Sequence, residues 1–253
     1  MQAQELKVYW RPGCSSCVKV KEFLSSLGVA YESINVSATP EAMDDLRALG
    51  VRTVPVVRRG QDYVFAQALE DVSRFIGRDV QLDRLPPDVL MKKWSTVLHA
   101  AQRHIMQLSA DRLPERATAG RDRSIRDLAY HIFQIGEAFL AVMQGGVEDW
   151  APIANAAPPE GVTTVAQIRE YGSDVTARIE AWWKAFDDKS CQRPVKLYYG
   201  THLLHQFLER STWHSAQHAR QIGAVLEKFG IRPDVPLTAE DYAGLPMPEG
   251  LWE

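Results

Sequence analysis

Two prolines in succession, Pro86-Pro87, stand where the periodicity of the chain changes, and that change constrains the fold more than any other feature. Before them, short apolar runs of strand length alternate with short stretches of helical spacing. Residues 6–10 read as a strand ending in the turn Arg11-Pro12-Gly13. Residues 15–27 carry helical spacing through Val18, Phe23, Leu24 and Leu27, and Gly28 stops them. Segments 31–36, 54–58 and 63–65 predict strands, the last two joined by a turn at Arg59-Gly60-Gln61, while 40–49 and 69–76 predict helices. The order β-α-β-α-β-β-α describes a small α/β unit. After the prolines almost no strand signal remains. Helical segments at 89–110, 124–143, 165–186 and 202–229 predict an all-α four-helix bundle, with Pro- and Gly-rich loops between them. The expected organisation is therefore an α/β unit over 1–79, a linker over 80–90, a bundle over 91–232, and a Pro-rich tail over 233–253 packed as an irregular strap.

Composition narrows the function classes. A length of 253 residues accommodates two domains, and 45% hydrophobic with 24% charged residues supports packed cores over disorder. The net charge of −3, with no clustered Lys or Arg, argues against nucleic acid as partner. No stretch approaches the roughly 18 apolar residues of a membrane span, and the first twenty residues hold no signal-like apolar run. The expectation is a cytoplasmic protein with no membrane partner. Three cysteines are too few for a disulfide scaffold, so a close pair reads as catalytic or metal-binding.

That pair is Cys14-Ser15-Ser16-Cys17, placed where the first strand hands over to the first helix. The unpaired N–H groups and the positive dipole end of a helix start favour a thiolate there. Arg11 adds a nearby positive charge. Further on, Thr53-Val54-Pro55 opens a strand, an awkward place for proline unless it serves an edge or a turn. Strand, Cys-x-x-Cys, helix and then Thr-Val-Pro resembles the glutaredoxin and thioredoxin families. The resemblance implies Cys14 as nucleophile, Cys17 as resolving thiol, Pro55 as a cis proline and Val54, after Thr53, as a backbone dock for substrate. Arg11 falls where glutaredoxins usually carry a Lys that helps bind glutathione, and Asp71 falls where the γ-glutamyl end would be held. Ser15-Ser16 replaces the usual Pro-Tyr, and 66–71 lacks the usual Gly-Gly pair. The implied partners are a small-molecule thiol or disulfide, with glutathione or another low-molecular-weight thiol as cosubstrate, or a protein disulfide.

In the helical half, His214 and His218 are four residues apart and share one helix face, a spacing that suits two ligands of one metal and equally suits a bundle core. His131 lies on an earlier helix that can face them. Three imidazoles with open positions would make a catalytic site and not a closed structural one. The run around His131 and the run Trp213-His214-Ser215-Ala216-Gln217-His218 resemble the DinB-like family of four-helix bundles. That family includes metal-dependent transferases and isomerases that use low-molecular-weight thiols. The resemblance implies a divalent metal on His131, His214 and His218. Three imidazoles suit Zn²⁺ best and also serve Ni²⁺, Fe²⁺ and Mn²⁺. It implies a homodimer as well. His202 and His205 fall nearer the start of the last helix, where His205 reads as a packing residue or one that supports the metal ligands from behind. His99 and His104 read as solvated or core. Cys191 reads as an ordinary residue over a third redox thiol. Trp182-Trp183 and Tyr198-Tyr199 are candidates to line a pocket, with one of the two tryptophans in the core. The expected function is a thiol-disulfide oxidoreductase joined to a metal-dependent transferase, isomerase or hydrolase domain. The alternative is a disulfide reductase or redox sensor whose helical half only binds a client or ligand.

Overall fold

A computed structural model describes residues 5–252, so the first four residues of the expected α/β unit and the last of the tail lie outside it. Two compact units form: one runs to Asp83 and takes in the segment from Pro248, the other is Arg84–Met247.

The first unit is built from β1 (Leu6–Trp10), α1 (Ser15–Ser26), β2 (Glu32–Asn35), α2 (Pro40–Ala48), β3 (Val56–Arg59), β4 (Asp62–Phe65) and α3 (Leu69–Phe75). The order matches the sequence expectation. The sheet runs β2-β1-β3-β4, with β1 parallel to β2 and antiparallel to β3. Successive strand residues face opposite sides, so β1 and β3 feed two cores. Leu6, Val8 and Val57 join Val20 and Leu24 of α1 and Val72 of α3 on one face. Tyr9 and Val56 join Ala42 and Leu46 of α2 on the other. Leu24 and Leu46 are fully buried, each contributing roughly 1.5–3 kcal/mol.

Residues after Met247 belong to this unit as well. The carboxylate of Glu22, on α1, accepts backbone N–H bonds from Glu249 at 2.9 Å and Gly250 at 2.8 Å. Gly250 packs so closely on Val18 that an added Cβ would lie 3.3 Å from its methyl.

The second unit is a four-helix bundle of α4 (Pro87–Met106), α5 (Ile125–Gly145), α7 (Val165–Ala185) and α8 (Leu204–Lys228), with the short helices α6 (Ala151–Asn155) and α9 (Ala239–Tyr242) beside it. Both α4 and α5 pack against α7 and α8, which puts the consecutive helices α4 and α5 at opposite corners. The starts of α5 and α7 carry the reciprocal Ser/Thr-x-x-acceptor cap. Ser124 Oγ accepts from Asp127 N at 3.0 Å, and Thr164 Oγ1 accepts from Gln167 N at 3.3 Å. The core is aromatic: Phe139 meets Trp94, Trp182 and Phe207 at centroid distances of 5.1, 4.9 and 5.2 Å. Trp182 is thus the core member of the Trp182-Trp183 pair. Gly172 lets α7 approach α5, because a Cβ there would lie 2.5 Å from the ring of Phe133.

The structure departs from the sequence reading in several places. A hairpin of β5 (Pro194–Leu197) and β6 (Gly200–Leu203) precedes α8, so the last helix starts at Leu204 and His202 lies in a strand. Its turn is closed by Gly200 at φ +132°, a conformation that glycine supplies freely. Helix α4 begins at Pro87, inside the stretch expected as linker. Proline is well placed at a first helical position, where its missing N–H is no loss. The Pro-rich loop after Trp150 contains α6, and the expected irregular tail contains α9. Among the described residues, no helix is long and apolar enough to cross a membrane.

Candidate functional site

Cys14 is the N-cap of α1, and Cys17 lies one turn in, fully buried where Cys14 is half-buried. Their sulfurs form a disulfide across a Cα–Cα distance of 5.2 Å. Gly13, at φ +65°, makes the turn from β1 into the cap, and the Cys14 carbonyl takes N–H bonds from Cys17 and Val18. The Val54–Pro55 bond is cis. Register places Val56 opposite Tyr9, so Pro55 arrives beside the end of β1, from which the chain leads directly to Cys14. Val54 is partly exposed just ahead of it. Ser16 Oγ donates to Gln67 Oε1 at 3.3 Å, tying the motif to the loop before α3.

Arg11 and Asp71 differ from simple ligand-binding positions. Burial lowers the pKa of the Arg11 guanidinium, whose Nε is buried without a hydrogen bond. Asp71, in the first turn of α3, has its carboxylate engaged by Arg74 of the same helix.

The second site joins α5 to α8. One ring nitrogen from each of His131, His214 and His218 lies within 4.8 Å of the others, a set that can hold a metal ion. Ring centroids are separated by 5.7, 4.8 and 4.9 Å. Next to the rings, Ser215 Oγ donates to the Ile132 carbonyl at 3.2 Å and accepts from Trp94 Nε1 at 3.0 Å, which locks α5, α8 and α4 in register. Desolvation holds the pKa of His131 well below the usual imidazole range, helped by Arg123 and the two facing histidines. Desolvation does the same to His218, helped by Arg123, Arg121 and Arg210 and opposed by its bond to Gln221. Both rings are therefore neutral at neutral pH, the form a metal requires.

The surroundings fit a metal ligand set. His218 Nδ1 donates to Gln221 Oε1 at 2.6 Å, and His131 is hydrogen-bonded to the backbone of Ala154 in α6. Metal-binding imidazoles are ordinarily oriented by such an acceptor on the second nitrogen. Sequence reasoning missed both partners. Gln221 had a usable signal, since it stands one turn beyond His218. The Ala154 carbonyl had none, because a backbone acceptor leaves no mark on residue type.

The remaining candidates lie elsewhere. His99 is exposed beside Glu180, and His104 is buried against the Asp234 carbonyl. His205 meets the Leu85 carbonyl at 2.7 Å, and His202 packs on Tyr199. Cys191 is fully buried, and burial, with Asp188 adding to it, pushes its thiol up to about 11. That protects the thiol from ionisation and argues against a redox role. Tyr198 and Tyr199 pack around Trp150, over which Arg210 also sits.

A disulfide at a strand–helix junction and a histidine cluster inside a four-helix bundle define a two-part protein, one part of thioredoxin-like fold and one of DinB-like fold. Residues 6–64 match the glutaredoxin family model and residues 93–222 match the DinB superfamily model. The chain belongs to the DinB superfamily through its bundle and to the glutaredoxin family through its first unit. The glutaredoxin-like protein NrdH of Salmonella typhimurium is 40% identical over 55 residues, covering 22% of this chain and 68% of that protein. The gene 56 protein of Mycobacterium phage L5 is 41% identical over 51 residues, covering 20% of this chain and 50% of that one. Among solved structures, a DinB-like protein from Bacillus cereus aligns over 59% of this chain and 95% of its own, at 19% identity and TM-score 0.47. YfiT from Bacillus subtilis, a probable metal-dependent hydrolase with an unusual four-helix bundle topology, aligns over 60% and 93%, at 13% identity and TM-score 0.45.

Proposed function

We propose that the chain is a thiol-disulfide oxidoreductase whose helical unit carries a second, metal-dependent chemistry on thiols or thiol adducts. The observation that carries the reading is the Cys14–Cys17 disulfide at the start of α1, in a domain of the glutaredoxin family. In the reduced protein, the Cys14 thiolate attacks one sulfur of an incoming disulfide. The substrate S–S bond breaks, a mixed disulfide forms, and the departing sulfur leaves as a thiolate that takes a proton from water. Cys17 then attacks Cys14 and expels the second substrate thiol. Two electrons have moved: the substrate is two thiols, and Cys14–Cys17 is again a disulfide. A low-molecular-weight thiol or a dithiol returns the electrons. The substrate class is a small disulfide or an exposed protein disulfide.

In the bundle, His131, His214 and His218 would hold a divalent ion, Zn²⁺ being the best match for three neutral imidazoles. Such an ion supplies a Lewis acid that makes a coordinated thiol or water acidic at neutral pH. The chain's own part is to keep His131 and His218 neutral and oriented, through desolvation, Gln221 and Ala154. The reaction class is transfer, isomerisation or hydrolysis on small electrophiles or thiol adducts.

The test is elemental analysis and disulfide-reduction assay of the chain purified without a His tag, beside Cys14→Ser, His131→Ala and His214→Ala. The expected result is about one metal ion per chain in the parent and in Cys14→Ser, and none in the two histidine variants. Reduction should be abolished by Cys14→Ser alone. Undiminished reduction by Cys14→Ser overturns the first half. No metal in any sample, even after incubation with Zn²⁺, Ni²⁺ and Mn²⁺, overturns the second and leaves the bundle as a binder of a client or ligand.

A further inference from the structure

His218 and Gln221 are three residues apart on α8, on one helix face. Both side chains are nearly free of solvent, at 1% and 2% exposure. The 2.6 Å contact from His218 Nδ1 to the Gln221 amide oxygen has one chemical meaning. An amide oxygen only accepts, so Nδ1 carries the ring proton and Nε2 keeps the lone pair that a metal needs. His131 is hydrogen-bonded in a related way to the backbone at Ala154.

The kind of acceptor matters as much as its presence. A carboxylate on the outer nitrogen makes the imidazole a stronger donor and adds negative charge beside the ion. Here the two identified outer partners are an amide and the protein backbone. Arg123, Arg121 and Arg210, all cationic, act on His218.

We propose that Gln221 is the positioning residue of the histidine site: its amide fixes the tautomer of His218 and, unlike a carboxylate, adds no negative charge beside a bound divalent ion. This rests on the metal reading above. With an amide behind His218 and backbone behind His131, neither imidazole brings an anion to the site. A bound ion therefore keeps its pull on an anionic further ligand, and a thiolate is the ligand class that the other half of the chain handles. Gln221 touches neither ion nor substrate in this account; it acts through His218.

The experiment uses the full chain as parent, Gln221→Leu and Gln221→Glu. Zn²⁺ affinity is read by chelator competition, the Co²⁺-loaded forms by their absorption bands, and thiolate binding by titrating the Co²⁺ forms with 2-mercaptoethanol. Gln221→Leu should lower Zn²⁺ affinity by about 10- to 100-fold and shift the Co²⁺ bands. Gln221→Glu should bind Zn²⁺ at least as tightly as the parent while binding the thiolate more weakly. Melting of the metal-free proteins separates a folding defect in Gln221→Leu from a ligand effect. If that variant is misfolded, the opposed affinity and thiolate responses of Gln221→Glu decide alone. Identical affinities and spectra in all three proteins would overturn the inference. A parent that binds no Zn²⁺ or Co²⁺ would instead overturn the metal reading beneath it.

Discussion

The disulfide site and the histidine site are held by different kinds of structure. Cys14 and Cys17 are fixed by one turn and the first turn of one helix, and the sheet register alone brings Pro55 to the end of β1. His131 and the pair on α8 meet only because two long helices pack in one register, with Ser215 bonded across the seam. A site made by a turn depends on local backbone geometry. A site made across a bundle depends on packing many residues away. Damage in the helical core should therefore weaken the histidine site and leave the disulfide site unchanged.

The strongest way to break that comparison is to overfill the α5–α7 seam. Gly172→Ala places a methyl where the Phe133 ring sits, at an overpacking cost of about 1–3 kcal/mol. The bundle's thermal midpoint should fall by several degrees, at about 2–4 °C per kcal/mol for a unit of this size. Zn²⁺ affinity should weaken, while disulfide reduction at 25 °C stays at the parental rate. Equal losses in both activities would show that the two sites are not independent.

A milder probe is the start of α5, two turns before His131. Ser124→Ala removes the cap of Asp127 N and should cost about 1 kcal/mol. Denaturant unfolding followed by bundle tryptophan fluorescence measures it. Ser124→Asp, which can cap the same N–H, should recover most of the loss.

The smallest effect is a pH dependence confined to the bundle. Burial lowers the pKa of His104, with bonds to the Asp234 and Val235 backbone opposing it. The folded form therefore binds fewer protons than the unfolded chain as pH drops below about 6.5, the ordinary imidazole value. Stability from this group is present above that pH and is lost as pH falls toward the lower folded value. His104→Gln should show a shallower decline between pH 6.5 and 5 than the parent. An unchanged slope would assign the acid sensitivity to other groups.

The same contrast explains what could be read from the sequence. The disulfide site is nearly contiguous, so Cys14-Ser15-Ser16-Cys17 and Thr53-Val54-Pro55 carried its residue types and its place between strand and helix. The His214/His218 spacing was equally visible, since one helix face holds both. That α5 would turn His131 toward them is a property of tertiary packing, which no local pattern encodes. The β5–β6 hairpin was missed because Val195-Lys196-Leu197 and Thr201-His202-Leu203 are too short to separate by periodicity from the helix that follows at once. Arg11 read as a positive charge near the thiol, and its desolvation depends on how the unit closes around it.

The grip of Glu22 on the N–H groups of Glu249 and Gly250 has a practical side. The redox unit is discontinuous in sequence, with the whole bundle written between its two pieces. A fragment that stops at Asp83 would strip the cover from Val18 and leave Glu22 facing water, on the helix that Cys14 caps. Measurements on such a fragment would describe an incomplete unit, so the potential and rate of the disulfide belong to the uncut polypeptide.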